Sequence, residues 1–257
     1  MAKWTAFPHL GDFHFNNASV KKQWARLHAG DAEPLPKDPA VIEAWTMFHN
    51  GEFQQAAEAG LKAGGDGITA ANKATAVYAN YLEKKEKIKL DLFVEVAQRA
   101  ETQAAQDARN ANAWYWQAYA LGRYSQGISV AKALAQGLGG KVKEALEKTI
   151  KLQPKHADAH IALGAFHAEV IDKVGSLIGG MTYGAKKDIG LKLFQEALKI
   201  NPASAIGMIE YANGLVMLEG DRKMKEATRL YEQAAGMKPI DAMERLDVDL
   251  AKVELQE

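Results

Sequence analysis

The chain has 257 residues, and its 32 basic side chains are balanced by 32 acidic ones, so the formal net charge is zero. This balance provides no global attraction to nucleic acid or to an anionic membrane. The absence of cysteine excludes disulfides, thiolate nucleophiles and cysteine-ligated zinc. We find no apolar run typical of a signal peptide or a membrane span, and we expect a cytoplasmic protein.

Residues 1–37 differ from the rest of the chain because they are rich in aromatic side chains and have little helical periodicity. These aromatic residues include Trp4, Phe7, Phe13 and Phe15. A short helix is predicted to begin after Ser19, a good N-cap, and to end near Gly30. Prolines at positions 34, 36 and 39 then exclude a continuing helix. We therefore treat residues 1–37 as an N-terminal segment and residues 38–257 as a second region.

Residues 38–257 show a helical pattern almost throughout. Strong helix formers dominate, and apolar residues recur at spacings of three and four. Short breaks at Gly, Pro and Asn separate segments of the usual length for globular helices. The sequence therefore predicts an all-α array of antiparallel helices.

Three of the predicted helices end in similar sequence motifs, each of which is followed by a proline. The prolines are Pro154, Pro202 and Pro239, separated by 48 and 37 residues. A repeat of roughly 34 residues with insertions accommodates both spacings.

The residue pattern of these motifs resembles that of the tetratricopeptide (TPR) family. The last copy matches the family pattern of its second helix with Ala227, Tyr231, Ala234 and Pro239, and the copy before it with Gly190, Phe194, Ala197 and Pro202. The copy before that matches the family pattern with substitutions, at Val142, Leu146, Thr149 and Pro154. An earlier copy keeps only Ala105. The resemblance implies four to five helix pairs in a right-handed superhelix, with a concave groove lined by the first helix of each pair.

Two segments are longer than a TPR turn. Residues 127–141 lengthen one connection, and residues 168–187 lengthen another. In the second, we expect the first helix to extend past Val174 and a glycine-rich excursion to follow through Gly179, Gly180 and Gly184. This apolar tract is interpreted either as a flap over the core or as a binding lip.

Histidines and glycines offer two candidate sites for other chemistry. His156 and His160 lie one helical turn apart, a spacing that can hold a metal ion, but His160 and His167 occupy packing positions of the repeat. We therefore assign them packing and capping roles and expect no metal and no cofactor. The GLGGK run at 137–141 lacks the remaining residues of a phosphate loop and is interpreted as a turn.

Aromatic and charged side chains provide the candidate partner contacts. The aromatic and amide residues predicted to face the groove are Trp114, Gln117, Tyr124, Trp45 and His49. The aromatic residues are typical binding anchors, but they are equally suited to docking the aromatic N-terminal segment. Arg123, with Asp158 and Glu169 on the next helix, predicts either an internal ion pair or recognition of a carboxylate or other anion.

The sequence thus predicts a non-enzymatic scaffold that binds a protein or peptide partner. The alternative is a small-molecule-binding repeat protein whose pocket is closed by the insertions. Within the TPR class, the chain is similar to regulators of microtubule dynamics and to the T-component proteins that accompany some bacterial TRAP transporters. Neither nucleic-acid binding nor a membrane span is expected, and self-association through the last helix stays open.

Overall fold

The computed structural model describes residues 3–256, and this part of the chain contains helices and no β-strand. Its α-helices are α1 Asn17–Leu27, α2 Pro39–His49, α3 Phe53–Ala63, α4 Gly67–Tyr81, α5 Glu86–Gln106, α6 Ala111–Gln126, α7 Val130–Ala135, α8 Leu138–Leu152, α9 Ala157–Tyr183, α10 Lys187–Ile200, α11 Ala205–Glu219, α12 Met224–Ala235 and α13 Ala242–Glu254. A 3₁₀ turn at Gly220–Lys223 joins α11 to α12.

Five helix pairs form the body of the described chain, namely α2/α3, α4/α5, α6/α8, α9/α10 and α11/α12. The chain divides into two compact units. Unit 1 comprises residues 3–28, 33–152 and 240–243, and therefore holds the first three pairs. Unit 2 comprises residues 29–32, 153–239 and 244–256, and holds the last two.

Helix α1 begins two residues before the predicted N-cap, Ser19. Asn16 is the N-cap, because its side chain accepts hydrogen bonds from the amides of Ala18 and Ser19 at 3.0 and 2.9 Å. The Ser19 hydroxyl in turn accepts from the Asn16 amide at 2.9 Å, which completes a capping box. Ser19 therefore stabilises the helix start from inside the first turn.

The first helices of the last three pairs begin with side-chain caps of the same kind. Asn110 caps α6 by accepting from the Ala113 amide, and Ser204 caps α11 by accepting from the Gly207 amide. His156 caps α9 in the same way, since its Nδ1 accepts from the Ala159 amide at 3.1 Å. These caps satisfy amides that a helix start leaves without an internal partner.

The core of unit 2 shows why small residues recur in the repeat. Phe194 of α10 is fully buried and stacks on Tyr211 of α11, with ring centroids 5.5 Å apart. A Cβ at Gly164 of α9 would lie 3.1 Å from the Phe194 ring, and one at Gly214 of α11 would lie 2.5 Å from it. The aromatic ring thus fills the space that two glycines leave between three helices.

Helix α9 differs from the expected long helix followed by a glycine-rich excursion. It breaks at Gly175, where φ is 81° and ψ is 157°, and a second helical segment then continues to Tyr183. Gly179 and Gly180 lie in that segment, so their placement in an irregular excursion was wrong. Gly184 ends it in the left-handed conformation, and its amide donates to the Gly180 carbonyl.

The other insertion, in unit 1, contains the short helix α7. Ser129 caps α7, and Gly137 has a φ of 64° in the turn before α8. The predicted role of the GLGGK run as a turn thus applies to its first glycine, whereas the following residues form the first turn of α8. In unit 2, α13 covers the last pair with Val248 and Ala251 packed against Ile209 and Ala234.

We predict that Phe194→Ala lowers the free energy of unfolding by roughly 3–5 kcal/mol, because it empties the space between Gly164 and Gly214. Met181→Ala is the matched control, since the Met181 side chain is 82% exposed and its loss should cost under about 0.5 kcal/mol. Urea denaturation followed by circular dichroism measures both. A midpoint for Phe194→Ala equal to that of Met181→Ala would contradict this packing role.

Candidate functional site

The side of α2 that carries Trp45, Thr46 and His49 is covered by the chain's own helix α1. Trp24 of α1 stacks on His28 with ring centroids 4.1 Å apart, and both rings meet the Trp45 ring edge-on at 6.0 and 4.6 Å. The Thr46 hydroxyl donates to the Asn17 side chain at 2.7 Å. This arrangement buries Trp45 and His49 completely.

The prediction that Trp45 and His49 line an accessible groove is therefore wrong. Both side chains instead pack against the N-terminal segment, which was the alternative considered for the aromatic residues. The physical reason is that α2 belongs to the first pair, and no preceding pair is available to bury its apolar side. Helix α1 provides that cover.

His49 also takes part in a buried polar contact. Its Nδ1 lies 2.7 Å from Oδ2 of Asp241, with the two side chains 0% and 5% exposed. Its Nε2 lies 3.4 Å from Nε2 of His28. Because His49, His28 and Asp241 are all buried, their hydrogen bonds contribute to the stability of unit 1 rather than to a solvent-accessible catalytic arrangement.

Before α1, residues 3–16 lie against the end of the first two pairs. We call these residues the extended segment, although residues 8–12 form a turn within it. The residues that receive it are Asn50, Gly51, Phe53, Gln54 and Tyr78, which we call the docking surface. They come from the α2–α3 turn, the start of α3 and the last turn of α4.

Side chains of the docking surface bind the main chain of the extended segment. Gln54 Oε1 accepts from the Trp4 amide at 2.9 Å, and the Tyr78 hydroxyl accepts from the Thr5 amide at 3.4 Å. Asn50 binds Phe15 on both edges: its Oδ1 accepts from the Phe15 amide at 2.7 Å, and its Nδ2 donates to the Phe15 carbonyl at 3.0 Å. A protein commonly holds a peptide through such main-chain bonds.

Aromatic contacts add side-chain recognition to these bonds. The Trp4 ring stacks on the Tyr78 ring at 4.2 Å, with only 9° between the planes. Phe7 is buried and meets Phe53 edge-on at 5.8 Å. Gly51, with a φ of 84°, leaves room for the Phe7 ring, since a Cβ there would overlap Cδ1 of Phe7.

Tyr78 is also linked to Glu83 at the start of the α4–α5 connection. Its hydroxyl donates to Glu83 Oε2 at 2.8 Å, and burial together with this bond raises the pKa of Tyr78 above its usual value. The Lys85 amide, which donates to Glu83 Oε1 at 2.8 Å, lowers the pKa of the Glu83 carboxyl. A neutral tyrosine beside an ionised glutamate therefore keeps its hydroxyl oxygen free to accept from Thr5.

The predicted contacts on α6 are only partly exposed. The Trp114 indole donates to the Ala108 carbonyl at 3.1 Å, and Lys148 of α8 lies 6.0 Å from its ring centroid. Arg123 lies over the Tyr119 ring at 5.3 Å, and Lys132 of α7 lies 5.9 Å from the Tyr124 ring centroid. Gln117, which lies between Trp114 and Arg123 in the sequence of α6, is half-buried. These residues remain predictions as partner contacts.

The two acidic residues predicted as partner contacts, Asp158 and Glu169, lie in unit 2, and each contacts another residue of that unit. Asp158 is half-buried, and its amide donates to the Gly30 carbonyl at 3.0 Å. Its carboxylate fills the space beside Gly30, because a Cβ there would overlap Oδ1 of Asp158. Glu169 Oε2 lies 3.4 Å from the Lys173 ammonium, one turn further along α9, in a pair at the helix surface. The predicted pairing of these acidic residues with Arg123 stays a prediction.

The three histidines of α9 bind main-chain groups. His156 caps the helix, His160 Nδ1 lies 2.9 Å from the His156 carbonyl oxygen, and His167 Nδ1 accepts from the Lys186 amide at 3.1 Å. Within residues 3–256, no group of three or more His, Asp or Glu side chains is arranged to hold a metal ion. Likewise, none of the helices described is long and apolar enough to cross a membrane.

The helical segment after Gly175 exposes apolar side chains. Leu177 is 74% exposed, Ile178 58% and Met181 82%. Its glycines face inward instead, since a Cβ at Gly179 would lie 3.0 Å from Val170 Cγ1. The flap and the binding lip both stay predictions for this segment.

Comparison with known proteins bears on the fold. No family model matches the sequence, and no curated protein matches it. A crystal structure of a thermophilic TPR protein from Thermus thermophilus is similar, with a TM-score of 0.58 and 15% sequence identity. The similarity covers 83% of this chain and 97% of that one. This chain has a TPR-like fold. The all-α fold of helix pairs and the TPR resemblance predicted from the sequence are thereby confirmed.

The docking surface of this TPR-like chain was not predicted from the sequence. Its residues lie at a turn and at helix ends, outside the positions that define the repeat. The only local signal is the Asn50–Gly51 dipeptide, which is typical of a turn but does not indicate that the asparagine binds a distant main chain. The partners of Gln54 and Tyr78 are 50 and 73 residues away, beyond any sequence pattern.

We predict that Asp241→Ala destabilises the protein by roughly 1–3 kcal/mol, because it removes the oxygen that faces buried His49 Nδ1. The matched control is Asp12→Ala, since the Asp12 side chain is 51% exposed and lies 3.9 Å from His9, a weak pair. Thermal unfolding of both variants measures the difference. Equal melting temperatures would show that the His49–Asp241 contact contributes nothing to stability.

Proposed function

We propose that this chain is a non-enzymatic interaction scaffold that binds an extended segment of a protein partner. Helical repeat folds of this kind are typically used for protein interactions. The observation that carries the proposal is the extended segment, which the docking surface holds through main-chain hydrogen bonds and aromatic stacking. A partner peptide would be held in the same way.

The predicted contacts Trp114, Gln117, Arg123 and Tyr124 form a second proposed area. Arg123 and Tyr124 lie in the last turn of α6, beside the insertion that contains α7. An arginine and a tyrosine with partly exposed side chains suit a peptide that carries a carboxylate and an apolar side chain. Tyr119 lies under the Arg123 guanidinium, and the Lys132 ammonium lies over the Tyr124 ring.

The small-molecule alternative requires an enclosed apolar cavity beside Arg123 and Tyr124. Both side chains are instead partly exposed at a helix end. A peptide that lies along the surface needs no enclosure, and its main chain supplies the hydrogen-bonding groups that the docking surface already binds. These observations favour a peptide over a small molecule.

The scaffold function can be tested by photo-crosslinking in cells. Benzoylphenylalanine replaces exposed Glu58, whose side chain accepts from Gln54 at 3.1 Å, in the full chain. The control replaces exposed Gln106, the last residue of α5. We expect the same protein adduct from position 58 repeatedly, none from position 106, and saturable formation of that adduct with the purified partner.

A second arm uses the variant Trp4→Ala/Phe7→Ala, which removes the two aromatic side chains that hold the extended segment. The intermolecular adduct at position 58 should then become more abundant. The proposal fails if position 58 forms only intramolecular adducts in both the original chain and the variant.

A further inference from the structure

The extended segment is anchored more weakly than the helix that follows it. Among residues 3–16, only Phe7 is buried, whereas α1 buries Val20 at 0% and Trp24 at 7% exposure. The main chain of the segment forms no helix or strand, and its bonds to the rest of unit 1 run to side chains. Segments with few buried contacts open at low free energy while the rest of the fold remains intact.

The docking surface would stay formed after the segment leaves. Asn50 keeps its main-chain bond to Thr46 at the end of α2, and Gln54 keeps its place in the first turn of α3. Tyr78 keeps its bond to Glu83. The Tyr78 hydroxyl is therefore held in position by a bond that does not involve the segment, and the main chain at Asn50 and Gln54 is held by the helices. Both lower the ordering cost of binding another chain.

Two features of the surface select what can bind. Tyr78 offers a flat ring for stacking, and Gly51, which has no Cβ, leaves beside Phe53 a site that the Phe7 ring fills. Trp4 and Phe7 reach these two sites from positions three residues apart, separated by the small residues Thr5 and Ala6. Gln54 and Tyr78 accept from the main-chain amides of Trp4 and Thr5, in a stretch that forms no helix.

We infer that the docking surface is a recognition site for extended peptides with two aromatic side chains three residues apart, and that residues 3–16 occupy it as an intramolecular competitor. The inference rests on the proposed function for the existence of such a partner. A tethered competitor has a high effective concentration, so a partner binds at full affinity only in the fraction of molecules whose segment is released.

The test uses purified full-length chain and a fluorescein-labelled synthetic peptide of residues 3–16, with binding measured by fluorescence anisotropy. The Trp4→Ala/Phe7→Ala chain, which we call the released chain, should bind this peptide about tenfold more tightly than the unsubstituted chain, since its own segment has lost two aromatic contacts and competes less. Circular dichroism should show equal helicity for the two chains, because neither substituted side chain lies in a helix.

Peptide variants test recognition without altering the scaffold. The Phe7→Ala peptide should lose about tenfold or more in affinity for the released chain, because it lacks the ring that packs on Phe53. The Leu10→Ala peptide is the matched control, since Leu10 is 58% exposed in the segment, and its affinity should stay within about twofold. Asn50→Ala in the released chain should weaken binding of the unsubstituted peptide.

Four results would overturn the inference. Equal peptide affinity of the unsubstituted and released chains would exclude competition, and equal affinity of the Phe7→Ala and Leu10→Ala peptides would exclude aromatic recognition. A dimer of the unsubstituted chain in sedimentation, dissolved by Trp4→Ala/Phe7→Ala, would assign the segment to a second copy. If no peptide binds while the crosslinked partner adduct persists, the peptide class is wrong and the scaffold function stands.

Discussion

Each helix pair in this fold has an apolar side that it cannot bury alone, and the arrangement of the chain follows from that constraint. Inside the array, the neighbouring pair provides the cover, as when Phe194 fills the space beside Gly164 and Gly214. The first and last pairs lack one neighbour. In unit 1, α1 covers the Trp45 side of α2, and in unit 2, α13 covers α11 and α12 with Val248 and Ala251.

This constraint explains which parts of the structure were predictable. The helices and their pairing follow from local patterns: a proline after each second helix, and small and aromatic residues at fixed offsets. Phe194 lies at one of these offsets, and in the structure its ring fills the space beside Gly164 and Gly214. The insertions were less predictable, because a break such as the one at Gly175 depends on one residue adopting a positive φ, which the sequence permits but does not require.

The candidate site was less predictable than the fold for a related reason. Trp45 and His49 have residue types and positions that suit an accessible surface, and their burial depends on a helix some 20 residues earlier in the chain. The docking surface depends on Asn50, Gln54 and Tyr78 meeting main-chain groups far away in sequence. Main-chain groups have no sequence signature, so a side chain that binds them cannot be recognised from its residue type alone.

The N-terminal residues therefore combine two modes of attachment that differ in physical character. Helix α1 buries Val20 and Trp24 in a position that the first pair requires, so its removal would expose an apolar side of the fold. The extended segment adds a few hydrogen bonds, one buried aromatic ring and two partly buried ones to the first two helix pairs. A segment whose departure leaves the fold complete can be exchanged for another chain of similar chemistry, whereas α1 cannot. The boundary between the two lies at Asn16, the last residue of the extended segment. Its side chain caps α1 through bonds to the first turn of that helix, and these bonds do not involve residues 3–15.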